Sequence, residues 1–258
     1  MAERLISALA WYGPKTGALR DLLVRVQDLI AGQVGAAFRP YTLEQVHATL
    51  IALDGVADPE SGVVVNEAFW LNLGVRAEMD LPQVMSVLEQ RFRVPLTVRF
   101  GGFGAGAPVP FLSRGQHLSE RSFSVQGNAF VLMGWPAVSL SGPGPAVPAR
   151  PLDELRREVN AAGVLHRYHF GYEDVDNDLH MVVGHTDGDA DPAGTRAAAA
   201  AVRTWLADNP AEAAIALDDV TVVASDSRTM APPLYVSAIP ADEAVLLGLM
   251  RSAPGAGR

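Results

Sequence analysis

The sequence predicts an α+β fold in one chain, and three observations carry that expectation. Along the 258 residues, stretches with apolar residues at helical spacing alternate with short apolar runs of strand length. The order strand, helix, strand, helix, strand occurs in the first half and recurs in similar form in the second. Each half also holds one apolar strand entered through a histidine, "QVHATLIALDG" at 45–55 and "DLHMVVGH" at 178–185. Two lobes of sheet and helix with a cleft between them are the architecture expected.

The elements follow in order. "RLISALAWYG" reads as a buried strand and "TGALRDLLVRVQDLIAGQVG" as an amphipathic helix ended by glycine. Thr42 and Gln45 stand three residues apart, the spacing of a reciprocally capped turn, and lead into a strand over 46–53. "DLPQVMSVLEQRF" is a second helix, and "VPLTVRFGGFG" a strand closing on a glycine turn. "RSFSVQGNAFVLMGWP" is a strand pair or one long bent strand, and "SGPGPAVPARP" a Pro/Gly loop. "PLDELRREVNAAGV" is a third helix, "NDLHMVVGHT" a strand and "TRAAAAAVRTWLADNP" a fourth helix. "LDDVTVVASDS" and "PLYVSAIP" are the last strands, and 252–258 is expected to be a disordered tail.

Composition narrows the function. A net charge of −9 argues against broad wrapping of DNA or RNA, which needs a basic footprint, but a local arginine cluster suffices for a nucleotide or an RNA end. With no cysteine, disulfides, thiolate catalysis and cysteine metal sites are excluded. The first apolar stretch is broken by Gly13-Pro14, too early for a signal peptide or membrane anchor, and no other run reaches spanning length. A cytoplasmic monomer is the expectation. Lys15 is the only lysine and alanine is abundant, as in a GC-rich bacterial genome.

On a strand, side chains alternate, so His47 shares a face with Thr49, and His180 with Val182. Two such strands can present both histidines to one cleft. Either histidine alone is more simply a strand-entrance residue satisfied by a neighbouring carbonyl.

"EQVHATLIALDG" and, in part, "DLHMVVG" resemble the two His-x-Thr/Ser motifs of the 2H phosphoesterase superfamily, the 2′-5′ RNA ligase-like and cyclic nucleotide phosphodiesterase proteins. The element order, the turn "GGFG" and the strand "AFVLMGW" are also similar. The resemblance implies two pseudo-symmetric lobes of antiparallel-rich sheet with helices outside, as one domain over 1–258. It also implies insertions around 55–80 and 136–150. The implied activity is metal-independent, cofactor-free cleavage of a 2′,3′-cyclic phosphate or a 2′-5′ linkage at a nucleotide or RNA end, with RNA ligation as a related activity. His47 and His180 would be the acid–base pair, in unassigned order, and Thr49 would hold a phosphate oxygen. Val182 stands where the family has Thr or Ser and cannot donate a hydrogen bond. Losing one preorganised donor costs roughly 10²–10³ in rate by analogy with oxyanion holes. A degenerate member that binds nucleotides or RNA ends without cleaving them is therefore the alternative; an interaction module with structural histidines is the third reading.

Other signals are weaker. His166, His169, His180 and His185 cluster in sequence, but strand alternation turns His185 away from His180, and no metal site is expected. "DGDADPAG" at 187–194 lacks a calcium loop's glycine and twelfth-position glutamate, so it is read as a turn capping the next helix. "GGFGAGAP" lacks the lysine of a phosphate loop and is read as a strand-end turn. Arg91, Arg93, Arg99, Arg114 and Arg121 form a basic stretch that either steers a phosphate or is a solvated rim, with Arg121 taken as a substrate-binding candidate. Tyr12, Tyr172 and Tyr235 are candidates to stack on a base, Tyr12 foremost.

Overall fold

Alternation of small and branched apolar residues drives the first strand, β1 (Leu5–Ala10), and leucine at helical spacing drives the helix after it, α1 (Gly17–Val34). The computed structural model describes residues 4–58, 60–140, 148–171, 174–187 and 191–252. The chain continues through β2 (Phe38–Pro40), β3 (Ala48–Ala52), the hairpin β4 (Gly55–Ala57) and β5 (Val64–Asn66), and helices α2 (Glu67–Leu73) and α3 (Leu81–Arg91). Next come β6 (Leu96–Phe100), α4 (Leu118–Arg121), the hairpin β7 (Phe123–Gln126) and β8 (Ala129–Pro136), and α5 (Pro151–Glu158). The remainder is β9 (Leu179–Thr186), α6 (Pro192–Asp208), β10 (Ala211–Ile215), β11 (Val220–Ser225), β12 (Tyr235–Ala238) and α7 (Glu243–Arg251).

Most expected elements are present, and "RSFSVQGNAFVLMGWP" is the strand pair β7–β8. The strand expected over 46–53 is shorter, because Val46 and His47 precede it. Short or weakly patterned elements were missed: β2, the β4–β5 hairpin, α2, α4, β10 and α7. The Pro/Gly stretch 141–147 and the tail 253–258 lie outside the described residues.

Ten strands form one antiparallel sheet in the order β10-β6-β8-β9-β3-β1-β11-β12, with β2 added to β9 and β7 to β8. The fold is thus mixed α and β around a large antiparallel sheet. Helices α1 and α6 cover one face, where Leu23, Val26 and Ile30 of α1 and Val202 and Leu206 of α6 share a core with Leu179, Met181 and Val183 of β9. Each such side chain contributes roughly 1.5–3 kcal/mol by burial. A one-residue slip of β9 would exchange Met181 for His180 in that core, so burial fixes which face the histidine takes.

Candidate functional site

A cavity of about 540 Å³ opens beside the middle of the sheet, and His47, Thr49, His180 and Val182 all line it. Antiparallel pairing of β3 with β9 sets Ala48 beside Met181. Carried one residue each way, that register puts Thr49 beside His180 and His47 beside Val182. Both histidine segments are therefore neighbours at the middle of the sheet.

His47 is delivered by an excursion of the chain. Pro40 of β2 pairs with Gly184 of β9, and Ala48 rejoins β9 at Met181, so residues 41–47 leave the sheet and return. The turn is held by the expected reciprocal cap, Gln45 N–H to Thr42 Oγ1 at 3.3 Å and Thr42 N–H to Gln45 Oε1 at 3.0 Å. The Gln45 carbonyl accepts from His47 Nδ1 at 2.6 Å. A carbonyl only accepts, so Nδ1 carries the proton and Nε2 keeps the lone pair. Tyr12 packs on the ring, centroids 5.9 Å apart, and its hydroxyl donates to the Met230 carbonyl. Burial pushes the His47 pKa down to about 4; the Gln45 carbonyl opposes this and the Lys15 charge adds to it. The side chain of Lys15 is itself buried, donating to the Gly13 and Glu44 carbonyls, and burial lowers its pKa to about 8 despite the Glu44 charge.

His180 stands in a different electrostatic setting. Its Nε2 lies 3.9 Å from Oδ2 of Asp178, two residues earlier in the chain. That carboxylate is buried and accepts from Ser113 Oγ at 2.6 Å, Trp135 Nε1 at 2.7 Å and Arg121 Nη2 at 3.1 Å. Burial alone would raise its pKa; contact with His180 and the bonds from Ser113 and Trp135 outweigh that and hold the carboxyl well below its usual range. A proton on His180 would thus have an anion fixed beside it.

Several expected roles are relocated. Arg121 does not line the cavity: it is buried behind Asp178, bonded to Ser113 and Asp178. Arg91 pairs with Glu154 and Glu158, and Arg114 with Asp176; neither arginine lines the cavity. Tyr12 touches His47 but is not itself in the cavity wall, and the Tyr235 hydroxyl accepts from Asp242 N–H. Tyr172 lies outside the described residues. Asp191 caps α6, accepting from Ala193 and Gly194 N–H, while 188–190 are outside the described residues.

The alternation argument failed at His185, which lines the same cavity as His180. Between Val131 and Phe130 of β8 the register shifts, so that Val182 and Gly184 face successive residues and Val183 is a bulge. The Val183 carbonyl is taken up by Tyr41 N–H at 3.1 Å and the Gln27 side chain at 2.9 Å. Sequence reasoning also missed Tyr41, His166, Tyr168, Asp178 and Arg228 at the wall. Only Asp178, sharing a strand entrance with His180, had a signal in the sequence. His166 is buried and its Nδ1 accepts from Ala52 N–H at 3.2 Å; burial, with the Arg156 charge, holds its pKa well below the usual value. Among the described residues no three His, Cys, Asp or Glu are placed to hold a metal ion, and no helix is long and apolar enough to cross a membrane.

Comparison with protein-family models and with curated proteins finds no match to this chain.

Proposed function

We propose that the protein is a metal-independent phosphodiesterase of the 2H type, acting on a 2′,3′-cyclic phosphate or 2′-5′ linkage at a nucleotide or RNA end. The observation that carries this reading is that two histidines from neighbouring antiparallel strands face one cavity in opposite electrostatic settings. The sheet supports it, since the β3–β9 junction divides its main path into β10-β6-β8-β9 and β3-β1-β11-β12, which read as two lobes meeting at the site.

That asymmetry supports one order for the two roles left open by the motifs. His47, neutral with its lone pair on Nε2, is the general base. It takes a proton from water as the water oxygen bonds to phosphorus. His180, with Asp178 beside it, is the general acid and gives its proton to the ribose oxygen as the phosphorus–oxygen bond breaks. Thr49 donates to a non-bridging phosphate oxygen. The product is a ribose phosphomonoester with a free neighbouring hydroxyl, and the two histidines exchange protonation states before the next turnover.

The test is hydrolysis of 2′,3′-cyclic mononucleotides and cyclic-phosphate-ended oligoribonucleotides in EDTA. Turnover by the wild type, lost by about 10² or more in both His47→Ala and His180→Ala, is the expected result. Val182 favours a second reading, a nucleotide-binding protein without turnover. Nucleotide binding that weakens in His47→Ala, with no hydrolysis of any substrate in the panel, would select it.

A further inference from the structure

We infer that the end of the cavity around His185 is a subsite for a nucleobase, and that Val182 is part of its floor rather than a missing phosphate ligand. This rests on the phosphodiesterase reading of His47 and His180, which places the phosphate beside His180 and Thr49, with Val182 the next cavity-facing residue of the strand toward His185.

Three observations point to a flat, uncharged, hydrogen-bonding ligand here. The first is an apolar strip. Val182 of β9 sits beside Val131 of β8, and beyond the bulge, past the pair Phe130 and Gly184, Ala129 sits beside His185; Val182, Val131, Ala129 and His185 all line the cavity. From His180 to His185 the strand advances roughly 13 Å, room for a sugar and a base beyond the phosphate. A threonine at 182 would place a hydroxyl in the middle of that strip.

The second is the ring of polar groups at its edge. Tyr41 meets the His185 ring edge-to-face at 5.7 Å, so the strip ends in two aromatic side chains. His185 Nδ1 is buried and has no hydrogen-bond partner among the described residues. A buried polar atom left so is costly unless a ligand satisfies it. At the mouth, the two-residue turn Gly127-Asn128 between β7 and β8 puts Gln126 and Asn128 at the cavity wall. Gly127 at φ 61° leads that turn as the first central residue, a backbone position that excludes most side chains. Gln126 donates to Ser124 Oγ and Asn128 to the Thr186 carbonyl, and each carboxamide keeps a second N–H and its oxygen for the edge of a base.

The third is the charge distribution. The arginines at the cavity wall belong to its other parts. Arg156 bonds the Leu50 and Thr49 carbonyls, Arg167 pairs with Asp54 after β3, and Arg228 lies in the segment between β11 and β12. Arg39, the cation nearest His185 in register, pairs with Asp187 at 2.6 Å. A second phosphate would have no cation dedicated to it at the His185 end. A base needs none.

The experiment is calorimetric binding of adenosine 3′-monophosphate and cytidine 3′-monophosphate against two base-free probes, ribose 5-phosphate and inorganic phosphate. The same measurements are made on His185→Ala and Gln126→Ala. Stacking and edge contacts predict that the nucleotides bind about tenfold or more tighter than ribose 5-phosphate. The two substitutions should remove most of that advantage and leave phosphate affinity unchanged. Equal affinity for nucleotides and ribose 5-phosphate overturns the inference, as does a nucleotide advantage untouched by both substitutions. Base-selective binding without hydrolysis would sink the phosphodiesterase reading and keep the subsite. Hydrolysis at equal rates whatever the base, or with none, would do the reverse. A dinucleotide with a 3′-terminal phosphate, run alongside, separates an RNA end from a free nucleotide as the source of the base.

Discussion

At the scale of a residue, His47 is the group whose chemistry is most constrained by its surroundings. Its folded pKa of about 4 lies below the unfolded value of 6.5, so as pH falls the unfolded chain takes up the proton first. The stability gained by keeping His47 neutral is whole above about pH 6.5 and is lost progressively down to about pH 4. At roughly 1.4 kcal/mol per pKa unit, the loss from this residue is at most about 3 kcal/mol. His166 and His169, both lowered chiefly by burial, push in the same direction. Urea midpoints followed by tryptophan fluorescence should therefore fall between pH 6.5 and 4.5, with a shallower slope in His47→Gln. An unchanged slope in that variant would show that His47 is not held neutral by desolvation. If His47 is the base of the proposed phosphodiesterase, it sets the acid limb: kcat/KM should begin to fall only near pH 4, well below the 6.5 of an unperturbed imidazole.

At the scale of an element, β9 does two jobs that conflict under strict alternation. Leu179, Met181 and Val183 pack into the helix-covered core, whereas His180, Val182 and His185 face the cavity. The bulge at Val183 reconciles them by inserting one residue between Val182 and His185. Gly184 makes it feasible: a Cβ there would stand 2.6 Å from the Arg39 carbonyl oxygen and 2.6 Å from the Phe38 ring. Gly184→Ala should push β2 off β9 and cost about 1–3 kcal/mol, read as a lowered urea midpoint. It should also weaken nucleotide binding more than phosphate binding, because the displaced chain carries Tyr41. A midpoint within error of the wild type would mean that β2 yields without cost. The bulge also explains what was legible in the sequence. His47, Thr49, His180 and Val182 line one cavity, as alternation predicts, because each lies within two residues of the single pair, Ala48 with Met181, where β3 and β9 meet. His185 was assigned to the wrong face because the bulge depends on Gln27 and Tyr41, distant in sequence, capturing one carbonyl. Tyr41 was hidden for the same reason, since no local pattern marks the point where a chain leaves a sheet.

At the scale of the molecule, the site depends on how the two halves of the sheet are joined. Strands β3 and β9 share one register pair, Ala48 with Met181, a thin seam for the centre of a ten-stranded sheet. Arg156 of α5 reinforces it from inside. The side chain, 2% exposed, donates to the Leu50 and Thr49 carbonyls on one side and to the Asp176 and Asp178 carbonyls on the other, and pairs with the Asp176 carboxylate at 3.1 Å. One guanidinium thus ties the strand of His47 to the entrance of the strand of His180, a task for a rigid five-donor fork that an ammonium cannot match. No local pattern marks this role, because an arginine in "DELRRE" on an amphipathic helix reads as a solvated charge. Arg91 supplies the comparison, since it also bridges two acids, Glu154 and Glu158, but at the surface. Removing a partner from a buried ion pair costs roughly 3–5 kcal/mol, whereas an exposed pair contributes about 0–1 kcal/mol. Arg156→Met should therefore destabilise the protein several times more than Arg91→Met in urea titrations. Arg156→Lys should restore only part of the loss. Under conditions where Arg156→Lys remains folded, kcat should fall more than stability alone explains, because the distance between the two histidines is no longer fixed. Equal stability losses for Arg156→Met and Arg91→Met would mean that the seam holds without its arginine.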